Sequence, residues 1–225
     1  MSESLLPQRF LFRFSVPCQY RHPLWKAGGA GLDERYRLAS LAELDEQPAF
    51  AEISAAWNEA GLVFATNVHG KKQPIWCRAT RPEDSDSLQI WIDTRDVRNV
   101  HRASRFCHRF LFLPSGGGRK QDEAFGQTLP INRAREPARP VAAGLLQAVG
   151  KVRSDGYRLE CFIPAEAMLG FEPGEHPRIG FTYALIDREL GQQTFSVGPP
   201  LPYDEDPSLW ATLELVGKGT GEPGA

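Results

Sequence analysis

Six side chains have the chemistry to hold a polar ring: Trp76, Arg78, Gln89, Trp91, Asp93 and Glu160. An indole offers a flat apolar surface to the C–H face of a pyranose, while arginine, glutamine and carboxylates pair with its hydroxyls. In the stretch LQIWIDTRD, Leu88 to Asp96, a period of two puts Gln89, Trp91 and Asp93 on one face and Leu88, Ile90 and Ile92 on the other. The same alternation sets Trp76 and Arg78 against Ile75 and Cys77, and Arg158, Glu160 and Phe162 against Leu159 and Cys161. The pattern offers a ligand-binding sheet face with an aromatic floor and no catalytic engine; the alternative is that the long loop or the N-terminal segment covers this face and both indoles are second-layer packing.

Other residues offer different chemistry. Asp93, His101 and His108 are weak candidates for metal ligands, since imidazole and carboxylate suit a divalent ion. Their spacing matches no zinc motif, and the neighbouring Arg95, Arg98, Arg102 and Arg105 would repel a cation. Cys107 beside His101 or His108 is the one conceivable nucleophile and base, which makes Asp93 to His108 the place an enzyme would have to use. A plainer expectation is that Asp93 and Asp96 receive Arg95, Arg102 or Arg105 and pin the loop. Asp84, Asp86 and Asp187 are oxygen donors of the kind calcium takes, and no other cofactor is expected. Trp57 and Trp210, at strand starts, are read as packing residues.

These side chains need strands to carry them. Arg9–Val16 alternates Phe10, Phe12 and Phe14 against Leu11 and Arg13, with Pro17 closing the strand or forcing an edge position. Ala51–Trp57 and Gly61–His69 form a hairpin around Asn58–Gly61, with Leu62, Phe64, Thr66 and Val68 sharing a face. Further strands are expected over Lys71–Thr80, Leu88–Asp93, Arg109–Leu113, Val141–Val152, Gly156–Pro164, Ile179–Asp187 and Leu209–Val216. One helical turn is expected over Ser40–Leu44 and another over Ala165–Leu169. Ser115–Pro140, rich in glycine, proline and charge, reads as a long loop, and 217–225 as a disordered tail. Residues 1–216 then make a single all-β domain, a two-sheet antiparallel β-sandwich of jelly-roll type.

Composition fits this picture: 225 residues, 41% hydrophobic and 24% charged, with a net charge of −2. No apolar run approaches the roughly 20 residues that span a bilayer, and the first residues lack the pattern of a secretory signal. A cytoplasmic protein with no membrane or nucleic-acid partner is expected. Charge is uneven, because Arg95 to Arg139 holds ten basic against four acidic residues, which reads either as a solvated loop region or as a patch for a phosphorylated or acidic ligand. Cys18, Cys77, Cys107 and Cys161 are far apart in sequence and read as buried free thiols.

Four pieces in order, WNEAGLVFATNVHG, DSDSLQIWIDTRD, YRLECFIPAEAMLGFEPGEHPRIGFTYALIDRE and LWATLELV, resemble the carbohydrate-binding module family 9 and related DOMON-like sandwiches over residues 51–216. The resemblance implies a β-sandwich and a small saccharide or sugar-like ligand held by tryptophans, here Trp76 and Trp91. It supplies no match for haem, whose axial Met would have to be Met168. The leading expectation is a non-catalytic carbohydrate-binding module. The alternatives are an enzyme built on Asp93–His108 and a protein-interaction module using a sheet edge or the basic loop.

Overall fold

The computed structural model describes residues 14–40, 49–142, 144–195, 197–199 and 201–217. Eleven strands join one continuous sheet: β1 (Ser15–Tyr20), β2 (Ala51–Asn58), β3 (Gly61–His69), β4 (Ser87–Asp93), β5 (Cys107–Gly117), β6 (Glu123–Leu129), β7 (Gln147–Arg153), β8 (Gly156–Pro164), β9 (Arg178–Asp187), β10 (Gly191–Thr194) and β11 (Ala211–Val216). Their order is β6-β5-β4-β9-β11-β1-β2-β3-β8-β7, with β10 extending from β9. The inward face encloses the main core, where Leu88, Ile90, Ile92, Phe64, Phe110, Phe181 and Leu213 are buried. The alternation of apolar residues read along β3, β4 and β8 is thus the alternation of this core.

The architecture is all-β, but the strands are not all antiparallel. β1 runs parallel to both neighbours, pairing Ser15–Gln19 with Thr212–Val216 of β11 and Gln19–Tyr20 with Ala56–Trp57 of β2. Parallel neighbours need a long crossover, and the stretch between β1 and β2 provides it. Leu24, Ala30, Leu32 and Tyr36 of that stretch cover Ala56, Val63, Ala65 and Phe162 on the outer face of β2, β3 and β8. Pro17 lies where β1 pairs with β11 alone, a local edge that tolerates a missing donor.

The sheet curls until its two terminal strands approach. A Cβ built on Gly150 of β7 would collide with the Pro114 carbonyl of β5 and lie 3.2 Å from the Ala124 methyl of β6, so only glycine lets these backbones come so close. Part of the expected loop at 115–140 is therefore sheet: β5 continues through Pro114 to Gly117, with a register irregularity after Leu113, and β6 pairs back along it. The sequence hides β6 because this strand has no buried residue, so no core-facing alternation marks it. Conversely, Lys71–Thr80 is not a strand. The expected turn at Ala165 is present as a short 3-10 helix, Ala165–Ala167. The expectations for 9–13, 41–44 and 218–225 lie outside the described residues.

Candidate functional site

The outer face of β4 carries Gln89, Trp91 and Asp93, as the alternation requires, yet that face is covered. Trp91 is 1% exposed. Tyr203 meets it edge-on at 5.6 Å, the Asp204 carbonyl accepts its indole N–H at 3.1 Å, and the Arg109 guanidinium lies 5.2 Å from its ring centre. Ala103, Ile131, Val197 and Trp210 complete this second apolar layer. Arg109 donates to Gln89 at 2.7 Å and to Glu83 at 2.9 Å, which uses up the polar groups beside the indole. Asp93 is a turn anchor: it accepts from the Arg95 and Val97 amides at 3.0 and 2.7 Å. Burial pushes its pKa up, against the pull of those amides.

Glu160, on β8, is also committed to the fold. One oxygen accepts from the Ala30 and Gly31 amides at 2.6 and 3.0 Å, and the other takes Arg158 at 2.7 Å. Gly29 sits at φ +107°, and a side chain there would strike the Glu160 carboxylate, so the glycine is what allows the crossover to seat. Trp25 stacks on Phe162 beside this clamp, with ring centres 5.9 Å apart. Of the six sequence candidates, Gln89, Trp91, Asp93 and Glu160 are sealed by protein, a correction to the idea of an open aromatic sheet face.

Trp76 and Arg78 are different. Trp76 is half-buried and Arg78 exposed, on the connection between β3 and β4 and not on a strand neighbouring Trp91. The Arg78 guanidinium lies over the Trp76 ring at 4.1 Å, and Arg188, just past β9, lies over it at 4.5 Å. Asp86 holds this corner together. Its carboxylate accepts from the Trp76 amide at 2.9 Å and the Arg188 amide at 2.8 Å, while its own amide donates to the Trp76 carbonyl at 2.8 Å. The Arg78 amide donates to Ser85 Oγ at 2.9 Å. Sequence reasoning missed Arg188, since the pairing of β4 with β9 and the Asp86 bridge, not sequence proximity, bring it to Trp76.

Asp86 and Asp187, expected as calcium ligands, do hold a cation, but the chain supplies it. Lys71 Nζ lies 2.7 Å from Asp187 and 3.2 Å from Asp86, with all three side chains buried. Burial works against the ammonium, yet Asp187 and Asp86 together outweigh it and raise its pKa. Asp84 is exposed and pairs with Arg81 at 2.7 Å.

The Asp93–His108 segment does not assemble a reactive centre. Cys107 packs in the outer layer while His108 stacks on core-facing Phe110, at 6.0 Å, so the two point to opposite sides of β5. Burial pushes the Cys107 thiol up to about 12 and the His108 imidazole down to about 4. His101 is exposed and lies 3.0 Å from Asp206. Among the described residues, Asp93, His101 and His108 do not converge; the one cluster of metal-type donors is Glu172, Glu175 and His176, at the surface. Asp96, not Asp93, receives arginines, Arg98 at 3.1 Å and Arg178 at 3.6 Å, whereas Arg95 and Arg102 bond backbone carbonyls of Gly170 and Arg133.

Of five concavities among the described residues, none is lined by Trp76, Arg78 or Arg188, and two flank the β5–β6 region. One, of about 260 Å³, lies between Cys107–Arg109 and the segment Pro130–Pro140. The other, of about 450 Å³, lies where β6 and β7 face each other and is lined by Phe125, Gln127, Val141 and Leu146.

No protein-family model matches the sequence, and no curated protein matches it. Solved structures do match in fold. A family 9 carbohydrate-binding module from Caldicellulosiruptor kristjanssonii in complex with cellotriose covers 94% of this chain and 98% of its own, at 14% identity and a TM-score of 0.59. The module from the same organism in complex with glucose covers 94% and 100%, at 15% identity and a TM-score of 0.60. A candidate carbohydrate-binding protein from Bacteroides uniformis covers 91% and 100%, at 12% identity and a TM-score of 0.57. At such identities the likeness establishes the fold: this chain has the β-sandwich-type architecture of family 9 modules over nearly its whole length.

Proposed function

We propose that this protein is a non-catalytic module that binds a small saccharide, with the corner of Trp76 and Arg78 as its ligand-facing part. The observation that carries this reading is the end-to-end fold likeness to family 9 modules, of which one structure holds cellotriose and another glucose. The site geometry supports the location. Trp76 is the half-buried member of the two expected stacking tryptophans, while Trp91 spends its ring and its N–H inside the protein. An indole held at its backbone by a buried carboxylate is pre-organised, which lowers the entropic cost of binding.

Calorimetric titration against a panel of oligosaccharides tests the reading, with indole fluorescence as a second readout. Binding that is lost in Trp76→Ala and retained in a variant far from the corner is the expected result. A panel that gives no heat and no quenching at millimolar sugar would overturn it.

A further inference from the structure

Arg78 and Arg188 are two exposed guanidiniums resting on one indole, and among the described residues neither meets a carboxylate. The acids nearest in sequence are spent elsewhere: Glu83 on Arg109, Asp84 on Arg81, Asp86 and Asp187 on Lys71, and Glu189 on the Lys72 and Gln73 amides. Guanidiniums of like charge repel, and a ring face that attracts both offsets only part of this. Each retains a planar fork of donors matched to a carboxylate or sulfate. A neutral pyranose that stacked on the covered part of the ring would first have to displace an arginine.

We infer that this corner, resting on the saccharide reading above, selects a sugar that carries an oxyanion, the carboxylate of a uronic acid or a sulfate ester. Arg78 and Arg188 grip the anionic group, and Trp76 holds their forks in register and offers its remaining surface to the sugar ring. Asp86 is a positioning residue, tying the Trp76 and Arg188 backbones together from below. The backbones that carry Trp76 and Arg188 are tied to each other before any ligand arrives.

The test titrates the intact protein with cellotriose, a galacturonate trisaccharide, a sulfated trisaccharide and inorganic sulfate. One or both charged sugars should bind at least about tenfold more tightly than cellotriose, the increment expected of a charge-assisted pair. That preference should shrink as salt rises from about 0.05 M to about 0.5 M. Arg188→Gln, with an unchanged melting temperature, should bring the charged sugar down to the level of the neutral one. Arg119→Gln, an exposed control at the β5–β6 turn, should not. The two charged arms identify which oxyanion is read. Equal affinity for charged and neutral sugars overturns this inference while leaving the saccharide reading intact, provided that Trp76→Ala still abolishes binding. Silence toward every sugar overturns both. Inorganic sulfate binding as tightly as the sulfated sugar would make this an anion site without sugar selectivity, and would also overturn the inference.

Discussion

Trp91 and Trp76 are each approached by arginine and lie near a buried aspartate, yet they do opposite work. At Trp91 the arginine is itself buried and paired, Tyr203 and Trp210 close the outside, and the indole N–H is spent on a backbone carbonyl. At Trp76 the two arginines are exposed, and the bonds that fix the corner are all made from beneath, by Asp86 and Ser85. The lesson is that an aromatic beside charges becomes a platform or a plug according to whether a later segment covers it. Alternation within one strand carries no information about that.

The largest effect that would break the comparison belongs to Trp91→Ala, which should cost roughly 3–5 kcal/mol in chemical denaturation because it empties a packed layer. A loss under about 1 kcal/mol would mean that the ring is not sealed. Lys71→Met at the Trp76 corner should cost a similar amount, about 3–5 kcal/mol, by leaving Asp86 and Asp187 facing each other without a counter-charge. This loss should shrink in acid, where a carboxylate can protonate.

His108 sharpens the contrast through pH. Its folded pKa of about 4 lies below the ordinary 6.5, so its contribution to stability is complete above about 6.5 and is lost as pH falls toward 4. The loss should total about 3 kcal/mol, and His108→Phe should flatten that part of the stability profile. Glu160→Gln should cost roughly 1–3 kcal/mol and shift Trp25 emission to the red as the crossover loosens. The smallest stability effect belongs to Trp76→Ala, under about 1 kcal/mol, in contrast to the loss of saccharide binding proposed for it.

Much of the fold was legible because its core strands repeat with a period of two. Leu88, Ile90 and Ile92 face the core as read, as do Leu62, Phe64 and Val68 of β3. What escaped reading depends on long-range pairing. The parallel insertion of β1 between β11 and β2 leaves no mark in SVPCQY, and edge strand β6 has no buried face to give it a pattern. Of the candidate site, Trp76 and Arg78 could be found as residues but not as a corner, since Arg188 reaches Trp76 from 112 positions away through the β4–β9 pairing and the Asp86 carboxylate. A cover over the Trp91 face is one of the two readings the sequence offers; which residues form it, Val197, Tyr203 and Trp210 together with Ile131 of the 115–140 stretch, was not legible, because those segments have no periodicity.

Beneath the Trp76 corner, Lys71 does for Asp86 and Asp187 what an ion from the medium would otherwise have to do. A counter-ion threaded on the chain cannot be stripped by a chelator or diluted away. This corner should therefore keep its shape in surroundings where the supply of calcium rises and falls.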